Sequence, residues 1–400
     1  MAEWIEKSLG EIAEVTKLAG FEFTKYIKYI DNGEIIALRA LNLRNGELDL
    51  SDIKRISRKV SEGLTRSKIY KDDILLTYTG NGYGDCAIIE ENDKYHLAPN
   101  ICKIVPNQDV IFPYYLYCYI SSNAFYNQMS NNMTGSGQPT IPMKTIRLLK
   151  IPVPDMSVQI KIANIIQSLN HKIRNNKVIN NNLEQQAQAY FDELFVVNAD
   201  SNWSECTLSD IGSVVAGGTP SKSKPEYYAD QGIAWITPKD LSVNKSKFIS
   251  HGENDISELG FSKSSAAKMP AGAILFSSRA PIGYIAIAQN EVTTNQGFKS
   301  VIPNENIGTA YLYFLLKNLL PTIEGMASGS TFKEISGSTM KSVPTVMPDA
   351  DTIQLFSSFC EPVFKEQEIL EAENQRLSAL RDSLLPKLMS GELDVSDIDL

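Results

Sequence analysis

From Ile162 onward, apolar side chains recur at alternating steps of four and three residues: Ile162, Ile166, Leu169, Ile173, then Asn176, Asn180, Leu183, Ala187, Tyr190 and Leu194. An apolar period of about 3.5 residues is the seam of a left-handed coiled coil, so the spacing predicts one long helix. A second seam reads Phe356, Phe359, Val363, Glu366, Leu370, Glu373, Leu377, Leu380 and Leu384. Its helix is expected to stop at Pro386, whose ring cannot continue the backbone hydrogen bonding. Each run follows a proline, Pro154 or Pro348, and Asp155, Asp349 and Asp351 stand where a carboxylate can cap a helix start. Both seams turn polar near the middle. Antiparallel pairing sets the Asn layers beside the Glu layers and fixes register, and neither helix is expected to be stable without the other. About forty residues at ~1.5 Å each make a rod of ~60 Å.

The stretches before these helices have a different texture. Short β-rich runs such as 73–78 and 273–277 alternate with Gly, Asn and Pro turns. Residues 114–122 and 310–319 read as short amphipathic helices. The two stretches also resemble each other. Trp4, Leu9 and Ile12 return with the same spacing as Trp203, Leu208 and Ile211. Tyr115-Leu116-Tyr117 returns as Tyr311-Leu312-Tyr313, and Pro154-Asp155 as Pro348-Asp349. Common order and offset mark a duplicated domain rather than a stack of short repeats. The expected architecture is α+β: two similar mixed α/β domains separated by a pair of long antiparallel coiled-coil helices, with a pseudo-two-fold internal repeat. Its boundaries are 1–154 for the first domain, 155–198 for the central helix, 199–348 for the second domain, and 349–400 for the last helix and tail.

Composition changes this picture little. The chain has 400 residues, 43% hydrophobic and 21% charged, as in ordinary globular proteins. No apolar run approaches the ~20 residues that span a bilayer. The five cysteines are scattered without a CxxC pair, so neither a disulfide framework nor a zinc site is indicated and a reducing cytoplasm is expected. Charge is more informative. The net charge is −9, but residues 349–400 hold four cations against twelve acids, so the rest of the chain is nearly neutral. Within it Lys54, Arg55, Arg58, Lys59, Arg66, Lys68 and Lys71 surround a single acid, Glu62.

Enzyme signatures are missing. There is no GxxxxGK[ST] phosphate loop and no Asn/Asp-Pro-Pro-Tyr/Phe tetrapeptide of amino-methyltransferases. His96, His171 and His251 share no metal-ligand spacing. Gly80-Asn81-Gly82-Tyr83-Gly84 lacks the GxGxxG pattern and reads as a turn. The absence of these motifs does not exclude catalysis, but it shifts the weight toward a binding or scaffolding protein.

Several strings carry a resemblance. Gly217-Gly218-Thr219-Pro220 is followed by Tyr227-Tyr228 and by Ile233-x-Trp235-Ile236-x-Pro238-x-Asp240-Leu241. Further on stand Gly272-x-Ile274-Leu275-Phe276-Ser277-Ser278-Arg279-Ala280-Pro281-Ile282-Gly283 and Thr294-Asn295-Gln296-Gly297-Phe298. With the LLPKLMSGELDVSDI ending, they resemble the specificity subunit of Type I restriction–modification enzymes. The first half departs, with Thr77-Tyr78-Thr79-Gly80 in place of the Ser-Ser-Arg-Ala-Pro string.

The resemblance implies two target recognition domains, each reading one half of a gapped, asymmetric DNA site, with the helix pair as spacer. It also implies partners: double-stranded DNA, two modification subunits that transfer methyl groups from S-adenosylmethionine, and restriction subunits that use ATP and Mg. The chain itself would catalyse nothing. A stand-alone DNA-binding scaffold or an unrecognised nuclease is the alternative.

On this reading the run from Lys54 to Lys71 is either a patch against the DNA backbone or a solvated surface. Lys222 and Lys224, beside Thr219, are placed for backbone contact. Arg279 either reads a guanine or pairs with an acid, and Asn295-Gln296 either reads an adenine or makes a turn. Ser136 and Gln138, and Ser330 and Thr331, are implied to lie in DNA-facing loops. Tyr190, Phe191, Phe195, Leu385, Leu388 and Met389 are either seam core or an apolar docking surface for the modification subunits.

Overall fold

The computed structural model describes residues 4–135, 139–279, 281–329 and 333–395. The chain divides into two compact units. The first comprises Met1–Ile173 with Arg376–Leu400, the second Arg174–Gln375. The division runs through the polar middle of both long helices rather than at their starts.

In the first unit the opening strand Ile5–Ser8 pairs antiparallel with Lys150–Val153, the last strand before the central helix. Next comes an antiparallel sheet in the order Ala13–Lys17, Ile101–Pro106, Ile74–Thr77, Cys86–Ile88. A second sheet runs Lys54–Ile56, Ile35–Leu38, Tyr95–Leu97, Lys68–Ile69, with its middle pair parallel. Central positions of these strands, among them Ile74, Leu75, Leu76 and Ile101 to Ile104, are sealed on both faces, as expected where helices and a second sheet cover them.

The second unit repeats this plan. Ser204–Thr207 pairs with Pro344–Met347. One sheet runs Gly212–Ala216, Lys299–Pro303, Ile274–Ser278, Ile282–Ala288, and gains Phe248–Ile249 at its edge. The other runs Tyr228–Ala229, Asn254–Ile256, Ile233–Ile236, Thr293–Thr294, and its parallel pair, Trp235 opposite Thr293, stands at one edge rather than in the middle. The duplication seen in sequence is thus a duplication of connectivity.

The helices expected at 114–122 and 310–319 are present as Pro113–Ile120 and Thr309–Asn318. They are not amphipathic. Tyr115 to Ile120 and Ala310 to Leu316 are all buried, because strands and long helices cover them from several sides.

The central helix spans Met156–Asp192 and ends in a π-type turn, Glu193–Val197. The last helix spans Ala350–Met389. It does not stop at Pro386: the ring costs one hydrogen bond, and packing of Leu388 and Met389 holds the final turn in place. Pro362 is accommodated inside the same helix. Asp349 caps it, accepting from the Thr352 amide at 2.8 Å.

Antiparallel pairing is seen within each unit. In the first, Asn170 bonds Arg381 at 3.1 Å, and Ile162 and Ile166 share a core with Leu388. In the second, Asn176 donates to Glu373 at 2.7 Å and to Asn374 at 3.0 Å, while Asn180 accepts from Gln367 at 3.1 Å. The expected Asn and Glu layers therefore meet. Three seam positions differ from the pattern: Phe359, Glu366 and Leu380 are exposed. Beside the first two, the buried places go to Cys360 and Gln367.

Candidate nucleic-acid interface

In the second unit the Gly-Gly-Thr-Pro string leaves the end of strand Gly212–Ala216 and packs across the sheet. A Cβ on Gly218 would stand 2.2 Å from the Ala266 nitrogen, so only glycine fits that crossing. The Gly218 amide donates to the Thr294 carbonyl at 2.8 Å, and its own carbonyl accepts from the Trp235 indole at 2.9 Å. These bonds place Thr219 against Gln296, and the threonine hydroxyl donates to the Gln296 side-chain oxygen.

Asn295 makes the turn that presents Gln296. Its side-chain oxygen accepts from the Gly297 amide at 2.8 Å, so its side chain is engaged with its own backbone. Arg279, at the tip of strand Ile274–Ser278, pairs with Glu334, Nη1 to Oε2 at 3.6 Å. Lys299 reaches the same carboxylate at 3.8 Å and lies 3.5 Å from the Gln296 carbonyl. Burial pushes the Lys299 ammonium below its usual value, and Glu334 works against that shift. The structure therefore brings Thr219, Arg279, Asn295 and Gln296 together, and adds Lys299 and Glu334, which sequence reasoning had not singled out. Lys222 and Lys224 follow on an exposed loop, with Lys224 held 3.8 Å from Glu226. Ser136, Gln138, Ser330 and Thr331 lie outside the described residues.

In the basic run of the first unit Lys54, Arg58, Lys59, Arg66 and Lys71 are exposed and Arg55 and Lys68 half-buried, and the run is not one patch. Lys54–Ile56 is one edge of its sheet and Lys68–Ile69 is the opposite edge. Three strand spacings of about 4.8 Å separate the two edges. Arg58 and Lys59 begin the short helix between them. Arg66 pairs with Glu22 at 3.6 Å and Lys68 with Asp93 at 3.7 Å, while Arg55 donates to the Gly33 carbonyl at 3.2 Å. Lys54, Arg58, Lys59 and Lys71 are not engaged in ion pairs among the described residues.

The apolar docking surface expected at the helix ends is corrected by burial. Phe191, Phe195, Leu388 and Met389 are sealed inside their own units. Phe191 and Phe195 pack on Tyr311 and Phe356, with ring centroids 4.8 to 5.9 Å apart. Tyr190 and Leu385 are partly buried against the same two cores. These six residues close the recognition domains onto the helices.

Among the described residues no group of His, Cys, Asp and Glu is arranged to hold a metal ion, and no helix is long and apolar enough to cross a membrane.

Comparison with known proteins decides the family. The model of the Type I restriction modification DNA specificity domain matches this chain twice, over residues 1–185 and 200–379. The chain belongs to this family. It is a Type I specificity subunit with two target recognition domains, a non-catalytic member of its complex.

The specificity subunit of the Type I restriction enzyme HindI of Haemophilus influenzae is 25% identical over 98% of this chain and 100% of its own length. The specificity subunit of MjaIX from Methanocaldococcus jannaschii is 40% identical, over 45% of this chain and 44% of its own. The solved S subunit of a Type I restriction–modification system from M. genitalium superimposes with a TM-score of 0.63 at 16% identity, covering 97% of this chain and 96% of that one, a likeness of fold. In this specificity subunit, therefore, the two repeated units are recognition domains, the central helix joins them in sequence and the last helix follows the second.

Proposed function

We propose that this specificity subunit reads a gapped, asymmetric DNA site, one half with each recognition domain, and that the helix pair sets the gap. One observation carries the reading. The two domains share the order and register of their central strands but differ in chemistry at matching positions: an isolated bridge joins Arg279 to Glu334 in the second domain and Thr79 to Thr140 in the first. Similar scaffolds with different side chains at one place suit two different half-sites, whereas a homodimer would read a palindrome.

In the second domain, Arg279, Lys299, Thr219 and Gln296 contact the half-site, with Lys222 and Lys224 on the flanking backbone. In the first, Lys54, Arg58, Lys59 and Lys71 supply phosphate contacts. The partners are two modification subunits, which carry the S-adenosylmethionine and the methyl transfer, and restriction subunits, which carry ATP and Mg. There are two modification subunits because a duplicated chain offers its docking surface twice. With the expected aromatic anchors buried, that surface falls to exposed apolar residues of the helices such as Val178 and Ile179. A DNA-modifying complex and unpaired cysteines suit the cytoplasm.

Methylome sequencing of cells with and without this gene tests the reading. A bipartite motif with two dissimilar halves, modified only when the gene is present, is expected. A contiguous or palindromic motif, or none, overturns it.

A further inference from the structure

The second recognition domain offers Arg279 and Lys299 at its bridge, whereas the matching bridge in the first domain joins two threonines, and the cation beside it, Lys17, lies over the Tyr78 ring with its ammonium 5.2 Å from the centroid. There Thr79 and Thr140 share a hydroxyl hydrogen bond of 2.6 Å, and Thr140 also bridges Thr134, just as Glu334 bridges Ser328. The equivalence extends to the following hairpin. Gly84 and Gly283 both adopt positive φ, 90° and 95°. At each, the space a Cβ would need is taken by a side chain from the helix packed alongside: Tyr126 at 2.7 Å in the first domain, Leu320 at 2.6 Å in the second. Tyr126 is thus the counterpart of Leu320.

The two residues behave differently. Leu320 packs against the core of its domain. Tyr126 is 42% exposed and stacks on Tyr83, with centroids 5.2 Å apart and planes 11° from parallel. Their hydroxyls are joined at 2.9 Å, and Ser130 lies 3.4 Å from the Tyr83 hydroxyl. A core does not need this arrangement, since an aliphatic side chain fills the same gap in the sister domain. The pair forms a rigid, uncharged platform carrying three linked hydroxyls. Such a chain donates at one end and accepts along its length, and its aromatic bodies lose little entropy when they bind.

We infer that Tyr83 and Tyr126 are specificity-determining residues of the first recognition domain, reading its half-site through hydroxyl and aromatic contacts to base edges where the second domain uses Arg279 and Lys299. This rests on the reading that each domain recognises half of a split site. It locates first-domain recognition on the turn between strands Ile74–Thr77 and Cys86–Ile88 and on the helix Asn123–Ser130 packed beside it, away from the basic run, which serves the backbone.

The test uses the full chain assembled with its modification subunits. The probe is a duplex carrying the site found by methylome sequencing, with each base pair of both half-sites replaced in turn. The Tyr83→Phe, Tyr126→Phe double variant keeps the stack and removes two hydroxyls, and Tyr126→Leu imposes the sister domain's residue. Discrimination at one or more positions of the first half-site should fall roughly tenfold in both variants. The second half-site and the salt dependence of binding should be unchanged. First-half discrimination kept at every position would overturn the inference, as would equal weakening on all sequences with a shallower salt slope, which would mark a backbone contact. The Arg279→Ala protein serves as the control. If it loses second-half discrimination while the tyrosine variants behave as wild type, only this inference falls. If the wild-type complex fails to discriminate at either half-site, the split-site reading itself falls.

Discussion

Lys317 donates to Oε1 of Glu184 at 2.6 Å, and Lys247 pairs with the other oxygen of the same carboxylate. One acid of the central helix thus holds two cations of the second recognition domain. Lys247 also donates to Gln367 on the last helix at 2.6 Å and lies 4.1 Å from the Phe364 ring centroid. Burial alone would raise the Glu184 carboxyl, but Lys247 and then Lys317 outweigh it and hold it below its ordinary 4.5. Removing one partner of a buried pair leaves the other charge uncompensated, so Glu184→Gln should destabilise the second unit by about 3 kcal/mol near neutral pH.

The sign of the pH dependence follows. A carboxyl with a lowered folded-state pKa contributes fully above 4.5 and loses its contribution as pH falls through the lower folded value. The stability gap between wild type and Glu184→Gln, measured by denaturant unfolding, should therefore be largest at neutral pH and narrow as pH falls below 4.5. A gap that widens in acid would contradict the ion-pair account.

Gly218→Ala should be costly although it adds one methyl group. The new Cβ would meet backbone atoms of Ser265 and Ala266, which cannot swing aside like a flexible side chain. Overpacking of this kind costs about 1–3 kcal/mol. Because the same loop carries Thr219 to Gln296, second-half binding should weaken while first-half discrimination persists. A protein of unchanged stability and unchanged second-half affinity would refute the close packing of this loop.

Charge removal separates the free cations from the paired ones. Neutralising Lys54, Arg58, Lys59 or Lys71 should weaken binding to every DNA sequence alike and reduce the slope of log affinity against log salt by about 1 per contact. Arg66, already facing Glu22, should matter less. Equal effects at Arg66 and Lys59 would show that the ion pair does not restrain its cation.

These contrasts mark the boundary of what the sequence discloses. The long helices are legible because their period is local, and the polar layers at Asn176 and Glu373 meet as the pattern requires. The seam says which residues are apolar, but not what covers them. Phe191 and Phe195 read equally well as anchors for a partner, and only the sheet and helix folded over them settle their place. The helix Pro113–Ile120 is apolar at almost every position, so its period could not reveal that it is buried all round. The basic run is continuous in sequence but meets opposite edges of one sheet, because strands Ile35–Leu38 and Tyr95–Leu97 fill the middle. Glu334 gives no local hint of Arg279, since the isolated bridge between them joins segments distant in sequence.

Arg279→Ala should relax one position of the second half-site at a cost of about 1–3 kcal/mol there, without changing the others. Glu334→Gln should do less to the base itself. Its loss frees Arg279 and Lys299 together, so affinity for all sequences should rise while the second-half preference becomes blurred. Binding titrations against single-substitution duplexes distinguish the two. Uniform weakening of all DNA by Arg279→Ala would place that residue on the backbone.

The helices provide the last prediction. Their polar layers lie where the chain divides, at 173/174 and 375/376, so insertions there leave the apolar contacts of both units untouched. Four residues added to both helices at these points form a stutter, which unwinds the supercoil locally and keeps the two seams facing each other. The added rise is about 6 Å, against about 3.4 Å per base pair, so the gap in the modified motif should lengthen by about two base pairs. A seven-residue insertion, one full heptad, adds about 10.5 Å and should lengthen it by about three. The bases of both half-sites should stay the same, because no side chain of either recognition domain is altered. Methylome sequencing of cells carrying each insertion measures the gap directly. An insertion protein that modifies the original motif with its original gap would show that something other than helix length sets the spacing.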